Sequence, residues 1–431
     1  MAEIVILDGV RTPFVKAGTA AKGLTAQELG RQVLVSLFRK VPVPPAEVDE
    51  VILGCVAQPI DATNVARVAA INAGLPLSIP AYTVQRNCSS SMQAVSNAIQ
   101  MIESGRAEVV VAGGTESLSN APLIYNPEFT EFFNRLSKAK TLPQRLAVFA
   151  SFRLGMLNPR IGILEGLTDP TCGMIMGQTA ELLARELGIT RIQQDDFALA
   201  SHRKAATAVS RGRFGREIAP LYAPPGFEAI EADNGIRDEA TARPLGDLHP
   251  VFDRHHGTVT AGNSSQITDG AAALIITTRD RAAAWGIKPL ARIVGDAYAG
   301  LEPRRMGLGP VVSTAKLLAR TGRRMSDFGV VEINEAFAAQ VLACLRFFDS
   351  DRLSSDRLGL PKAPGPVNPA MLNVNGGAIA LGHPVGSTGA RLLLTLAHEL
   401  KERNVESGLA TLCVGGGQGA AFALERTAWT Q

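Results

Sequence analysis

Twice along this chain a turn of small polar residues opens an apolar helix, and a strand-like run ending in glycine follows. In the first instance Asn87 to Ser91 precedes a helix carrying Met92, Val95, Ile99 and Ile102 at helical spacing, and the next apolar run ends at Gly113-Gly114. In the second, Gly386 to Gly389 precedes a helix carrying Leu392, Leu393, Leu396 and Leu400, and the next run ends at Gly415 to Gly417. VDEVILGCVAQ at 48–58 and FGVVEINEAFAAQ at 328–340 hold matching places within their halves. Strand-like runs alternating with helical patterns are the mark of βαβ units around a mostly buried sheet. Repeating that order predicts two similar α/β halves. Strands are expected at Glu3 to Asp8, Glu50 to Val56, Glu108 to Ala112, Ala291 to Ala297, Val330 to Asn334, Leu409 to Val414 and Ala420 to Leu424.

Between the halves the chain changes character, with Pro and Gly punctuation and helical stretches at Gly177 to Gly188 and Asp195 to Arg213. This segment reads as an inserted lobe lying over the sheet system. The first half then resumes, because TVTAGNSSQITDGAAALIITT at 258–278 ends in a buried strand. The expected division is 1–121 with 247–287 for the first half, 122–246 for the lobe and 288–431 for the second half.

Composition narrows the function. A length of 431 residues exceeds a ~150-residue domain prior. Forty-three Lys and Arg against 40 Asp and Glu give a net charge of +3, too weak to favour nucleic acid as a partner. No apolar run of about 18 residues lacks a charge, and Glu3 and Asp8 interrupt the N-terminal run, so neither a transmembrane helix nor a signal peptide is expected. Five cysteines without a CxxC pair, beside only six histidines, argue against a disulfide framework or a zinc site. A reducing cytoplasm is the expected setting, where a cysteine is of interest as a nucleophile.

Cys88, in QRNCSSSMQA, stands at the start of the first buried helix, where unpaired amides and the helix dipole favour the thiolate. Ser89 to Ser91 leave room for a substrate. His383 lies in the glycine-rich NVNGGAIALGHPVGSTG, the counterpart of the Cys88 loop by internal duplication, so a thiol and an imidazole are expected at one edge of the two halves. A nucleotide loop is disfavoured because neither GxGxxG after a strand nor GxxxxGK[ST] is present. Cys413 is followed by Val414 and then Gly415 to Gly417, which bare amide donors beside a thiol. Asn334 ends a strand, where asparagine is a poor strand former, and so presents a polar group at the strand's carboxyl edge.

NCSSSMQAV, GGTESLS at 113–119, AGNSSQITDGAAA at 261–273, NEAFAAQ at 334–340, NGGAIALGHPVGSTGAR at 375–391 and CVGGGQGAA at 413–421 together resemble the thiolase family, in the family's order and over nearly the whole chain. The resemblance implies a five-layer αβαβα fold of two duplicated halves with an inserted loop lobe. It implies an acyltransferase that cleaves 3-ketoacyl-CoA with CoA to acetyl-CoA and a shortened acyl-CoA. Cys88 would carry the acyl group, His383 would take its proton, and Cys413 would serve as acid and then base. Asn334 and His383 would hold a water as one oxyanion hole, and the amides of Cys88 and Gly415 would form the other. Ser265 would contact the CoA pantetheine, with Met176 also on the substrate-binding side. No permanently bound cofactor and no metal are implied, since CoA and acyl-CoA are substrates.

Ile175-Met176-Gly177 departs from the His-Met-Gly usual in biosynthetic acetoacetyl-CoA thiolases. The long lobe and the extension at 344–372 resemble β-subunits of fatty-acid oxidation complexes. A homodimer or tetramer, and a hydratase/dehydrogenase α-subunit as partner, are implied. Between Glu131 and Glu165 six basic residues (Arg135, Lys138, Lys140, Arg145, Arg153, Arg160) and no acidic one interleave with Leu and Phe, which suits a membrane surface or a partner subunit. The alternatives are a biosynthetic condensing thiolase, a Cys88-His383-Asn334 hydrolase, which leaves Cys413 unexplained, and a non-catalytic acyl-CoA-binding scaffold. His202, His249, His255, His256 and His398 are expected on the surface or lobe, and Cys55, Cys172 and Cys344 in ordinary packing.

Overall fold

A computed structural model describes residues 3–237 and 243–427. The first half supplies β1 (Ile4–Arg11), β2 (Glu50–Gly54), β3 (Ala81–Val84), β4 (Val109–Glu116) and β5 (Thr268–Thr278). The second supplies β6 (Ala291–Gly300), β7 (Val330–Ile333), β8 (Ser407–Val414) and β9 (Gln418–Arg426). In space they run β7-β8-β9-β6-β1-β5-β4-β2-β3, one continuous sheet to which the short strand Val15–Lys16 adds on β5.

The halves match outward from the centre. β1 pairs antiparallel with β5, β5 antiparallel with β4, and β4 and β3 each run parallel to β2. In the second half β6 pairs antiparallel with β9, β9 antiparallel with β8, and β8 parallel with β7. Beyond β7, Leu372 makes a single parallel bridge to Val331 where β3 flanks β2 in the first half. The two echoing segments read from the sequence thus occupy equivalent strands. The seam is a short antiparallel contact between β1 and β6, Val5 opposite Arg292 and Ile6 opposite Ala291.

The described helices used below are α1 (Ala26–Lys40), α2 (Ser90–Glu103), α3 (Pro127–Lys138), α4 (Leu142–Ala150), α5 (Met176–Leu187), α6 (Arg191–Ser210), α7 (Gly309–Thr321), α8 (Ala338–Phe348) and α9 (Thr388–Glu402). Local chemistry sets their ends. Thr25 caps α1, with Glu28 in its first turn and Arg39 and Lys40 in its last, and Thr190 with Gln193 forms a capping box on α6. Gly188 takes a left-handed conformation, φ 61°, that stops α5.

Strand alternation sorts side chains into layers. Ile4 and Ile6, Leu274 and Ile276, and Leu412 and Phe422 point to one cluster, which α2 and α9 share. Val5, Leu7, Ala273 and Ile275 point the other way, under α1. Leu409, Cys413, Ala421 and Ala423 face α7 and α8. Both halves of the sheet face α2 and α9 on one side and are covered on the other, giving helix, half-sheet, two central helices, half-sheet, helix: the five-layer α/β arrangement. Residues Thr388 to Leu400 of α9 are all buried, so even Arg391, His398 and Glu399 lie inside. His398, expected on the surface or lobe, is therefore buried, while His202 lies on the lobe helix α6 as expected but is buried too, accepting from the Arg237 amide at 3.2 Å.

Over the sheet system, α5 packs on the second half through Ala180, Leu183 and Ala184. α3 and α4 hold each other through Phe129, Phe132 and Val148 but leave Leu142, Leu146, Phe149 and Leu154 exposed. No helix among the described residues is long and apolar enough to cross a membrane.

Candidate active site

Cys88 sits in the turn between β3 and α2, where Asn87 adopts φ 43°, a left-handed conformation that asparagine tolerates. The Ser90 hydroxyl donates to the Asn87 carbonyl at 2.7 Å and accepts from the Arg86 amide at 2.9 Å, fixing that turn. Asn87 Nδ2 reaches across the halves to the Gly415 carbonyl at 2.8 Å. Gly415 to Gly417 form the tight β8–β9 turn, with Gly416 and Gly417 at φ 85° and 72°. A methyl added at Gly417 would lie 2.3 Å from the Leu301 carbonyl, so glycine is required there.

The amides of Gly415 and of Cys88 itself favour the Cys88 thiolate, and the charge of Cys88 disfavours the Cys413 thiolate. Burial pushes both thiols up, Cys413 well above the ordinary range, despite the amides that pull Cys88 down. This differs from the helix-terminus expectation for Cys88: loss of solvation outweighs the helix end, and the resting sulfur is a thiol that needs a base.

That base is available. His383, on the loop before α9, has its Nδ1 2.6 Å from Thr388 Oγ1, and that hydroxyl donates its own proton to the Pro384 carbonyl at 3.0 Å. The threonine oxygen can then only accept, so Nδ1 carries the proton and Nε2 is a free lone pair. Nε2 is buried without a partner, and burial, with the positive charge of Arg391 next, lowers the imidazole to about 3. It is neutral throughout the physiological range.

Asn334 follows β7 directly, its amide donating to the Thr411 carbonyl at 3.0 Å, which fixes it beside β8, the strand that carries Cys413. Both polar atoms of its side chain are buried and unpartnered. A buried amide and a buried imidazole left open are costly unless something polar visits them. Ser265 is tied to this region by its amide, 2.9 Å from the Ala336 carbonyl, and the next residue, Gln266, accepts from the His383 amide at 3.2 Å. Met176 stands beside Gly415, its sulfur 3.4 Å from where a Gly415 methyl would be. Gly177 lies flat under the Phe252 ring, which meets Phe337 edge-on at 6.0 Å, so Met176, Phe252 and Phe337 share one apolar cluster.

The sequence-selected residues are thus linked through their neighbours: Asn87 and Met176 meet Gly415, Asn334 bonds to the strand of Cys413, and the Ser265–Gln266 segment joins Ala336 to His383. Three contributors have no role in the sequence reading: Asn87 as a bridge, Thr388 as the group that sets the histidine tautomer, and Glu116. Only their positions inside quoted motifs pointed to them. Cys55 and Cys344 are buried, Cys344 donating to the Gly307 carbonyl at 3.1 Å and Cys55 facing Glu116. Cys172 is partly exposed. Among the described residues no three His, Cys, Asp or Glu side chains gather as a metal site.

A five-layer duplicated α/β fold with two thiols and a neutral imidazole at its centre defines an acyl-transferring enzyme class. Residues 4–280 match the family model "Thiolase, N-terminal domain" and residues 287–426 match "Thiolase, C-terminal domain". The chain belongs to the thiolase family and is an acyltransferase. It is 40% identical over 98% of its length, and 96% of the relative's, to a 3-ketoacyl-CoA thiolase of Escherichia fergusonii. Among solved structures it is similar to the Bacillus anthracis acetyl-CoA acetyltransferase, with TM-score 0.86, 38% identity and 99% coverage of both chains. It is also similar to human mitochondrial 3-ketoacyl-CoA thiolase in complex with CoA, with TM-score 0.84, 35% identity, and coverage of 99% of this chain and 98% of that one.

Proposed function

We propose that this chain cleaves 3-ketoacyl-CoA with CoA to acetyl-CoA and an acyl-CoA two carbons shorter, the thiolytic step of fatty-acid β-oxidation. One observation supports the reading: Asn87, next to Cys88, bonds across the halves to the Gly415 carbonyl just past Cys413, while His383 keeps a buried Nε2 without a partner.

His383 Nε2 takes the Cys88 proton, and the thiolate attacks the 3-keto carbon. Its oxygen takes negative charge facing the amides of Cys88 and Gly415. When the carbonyl re-forms, the bond between C2 and C3 breaks, leaving the acyl group on Cys88 and the electron pair on the acetyl-CoA enolate. A water held by Asn334 Nδ2 and His383 stabilises the enolate oxygen, and the Cys413 proton goes to C2. The Cys413 thiolate then deprotonates incoming CoA, whose sulfur takes the acyl group from Cys88, and His383 returns the proton to Cys88. Ser265 and Met176 contact the substrate. No resident cofactor is needed, because CoA and acyl-CoA enter as substrates.

Residues 1–121 with 247–287 and 288–431 are the two halves in this reading, and 122–246 the lobe covering the substrate. Ile175 in place of histidine before Met176, with Phe252 and Phe337 beside it, favours longer acyl chains. The likeness to an acetyl-CoA acetyltransferase supports acetoacetyl-CoA synthesis as the second reading. The exposed Leu142, Leu146, Phe149 and Leu154 beside Arg135, Lys138, Lys140, Arg145 and Arg153 support an anionic membrane surface as this lobe's contact, with a hydratase/dehydrogenase subunit as the competing occupant. A homodimer or tetramer is the proposed assembly. Five free thiols fit a reducing cytoplasm.

The test is thiolysis of 3-ketoacyl-CoAs from four to sixteen carbons by the purified chain, with Cys88→Ala alongside. Rates that rise with chain length and vanish in the variant support degradation. Activity confined to acetoacetyl-CoA supports the synthetic branch, and inactivity at every length rejects both. Co-sedimentation with vesicles of 30% phosphatidylserine, weakened in Lys138→Glu/Lys140→Glu, tests the lobe; capture only by an α-subunit rejects the membrane.

A further inference from the structure

The last residue of β4, Glu116, is fully buried at the junction of the two halves, and the reaction above gives it no part. Its Oε1 accepts from the Ala57 amide at 2.9 Å and faces Cys55 Sγ at 3.8 Å. Its Oε2 accepts from the Val56 amide at 3.1 Å and from the Gly386 amide at 2.8 Å. One carboxylate of the first half therefore gathers amides from the loop after β2 and from the turn that follows His383 in the second half.

The approach is close on all sides. A methyl added at Gly386 would lie 2.9 Å from Glu116 Oε2 and 3.0 Å from the Gly54 carbonyl, and one added at Gly114 would lie 2.0 Å from the Gly386 carbonyl. At Gly114 and Gly386 the two halves touch backbone to backbone, with the Glu116 carboxylate beside the contact. The same turn carries Thr388, whose hydroxyl sets the His383 tautomer. The Glu116 charge also reaches Cys88, disfavouring its thiolate. A group with these contacts costs desolvation and works against the nucleophile, so its amide bonds across the junction are what it contributes.

We propose that Glu116 is a positioning residue: its carboxylate seats the 384–388 turn against the first half and so holds His383 Nε2 in register with the Cys88 sulfur. This rests on the thiolase reading of the site. Glu116 touches neither substrate nor the reacting atoms; it acts through the histidine turn.

Two variants separate reach from charge. Glu116→Gln keeps the length but turns an NH2 toward amide donors, and Glu116→Asp keeps the charge but falls one carbon short. Both are assayed for steady-state thiolysis of 3-ketodecanoyl-CoA, for the rate of Cys88 alkylation by iodoacetamide at pH 8, and for melting temperature. Both should lose roughly 10- to 100-fold in kcat with KM within about threefold, since misplacement of a catalytic group costs on this scale. Cys88 should alkylate more slowly in Glu116→Asp, where the base loses its register with the sulfur, and less slowly in Glu116→Gln, where removal of the opposing charge offsets part of that loss. Unchanged kcat in both variants overturns the proposal. A joint collapse of kcat, KM, alkylation and melting temperature, or failure of both variants to fold, also overturns it, by making Glu116 a general fold residue. A wild-type chain inert toward every 3-ketoacyl-CoA overturns the functional reading and this proposal with it, whereas an active wild type with unaffected variants overturns this proposal alone.

Discussion

The two turns that open the central helices are built alike and do different work. Each places its functional side chain directly after a left-handed residue, Asn87 at φ 43° before Cys88 and Gly382 at φ 103° before His383. Each helix end packs against the other: Ser91 Oγ accepts from the Ala390 amide at 2.9 Å, and Gly389 lies against Met92. They differ in burial. α2 leaves Gln100 exposed and Cys88 partly open, whereas α9 is inside from Thr388 to Leu400 and His383 is 7% exposed. A nucleophile has to be reached by its substrate, while a base that must stay neutral is best kept dry. Duplication supplied two equivalent turns, and burial then gave them separate roles.

The largest break in that comparison is chemical. Cys88→Ala should lower thiolysis by roughly 10⁴-fold or more, and mass spectrometry should find an acyl adduct on Cys88 in wild type only. His383→Ala should cost about 10²- to 10⁴-fold in kcat, the usual weight of a general base. An alanine variant that still forms the adduct at the wild-type rate would put the base elsewhere. Asn334→Ala should cost on the order of 10²-fold, as loss of one oxyanion donor does, with Cys88 alkylation unchanged.

Stability sharpens the comparison further. A methyl at Gly389 would lie 2.8 Å from Met92 Cγ and 2.9 Å from the Met92 nitrogen, so Gly389→Ala should cost about 1–3 kcal/mol in urea unfolding. Gly155→Ala, in the lobe with nothing within 4 Å, should fall within about 1 kcal/mol of wild type. A further effect is in pH. Burial holds His383 at about 3 against 6.5 in the unfolded chain, so between those values the unfolded state binds the extra proton and stability falls as pH falls. Replacing His383 with Asn should reduce that slope by about 1.4 kcal/mol per pH unit in denaturation at pH 4.5–6.

Much of this was legible beforehand because the signals were local. Strand runs, the two turns and the Gly415 to Gly417 nest follow from composition over a few residues, and Cys88, His383, Cys413 and Asn334 stood out as polar residues at the ends of apolar runs. What stayed hidden depends on distant partners. Glu116 bonds mainly to backbone amides, which carry no sequence signature. Leu372 completes the second half's edge with a single bridge, too short for any periodicity. His398 was expected on the surface or lobe because the neighbours that bury its helix come from elsewhere in the chain, as when Arg213 pairs with Glu399 and Glu332 with Arg391 on the same helix. The lowered pKa expected at Cys88 gives way to a raised one for the same reason: the helix end is local, and the surrounding burial is not.

The seam has a consequence for how the protein is made. β1, built from the first residues described, lies in the middle of the finished sheet, between β5 and β6. During translation its hydrogen-bonding edges therefore wait for partners that emerge only after residue 268 and residue 291. Until then a hydrophobic strand stays unpaired, the condition that invites wrong pairing and slows folding. Deleting residues 1–11 would cut the sheet at its centre and unseat both halves together, whereas a comparable deletion at an outer strand would trim an edge.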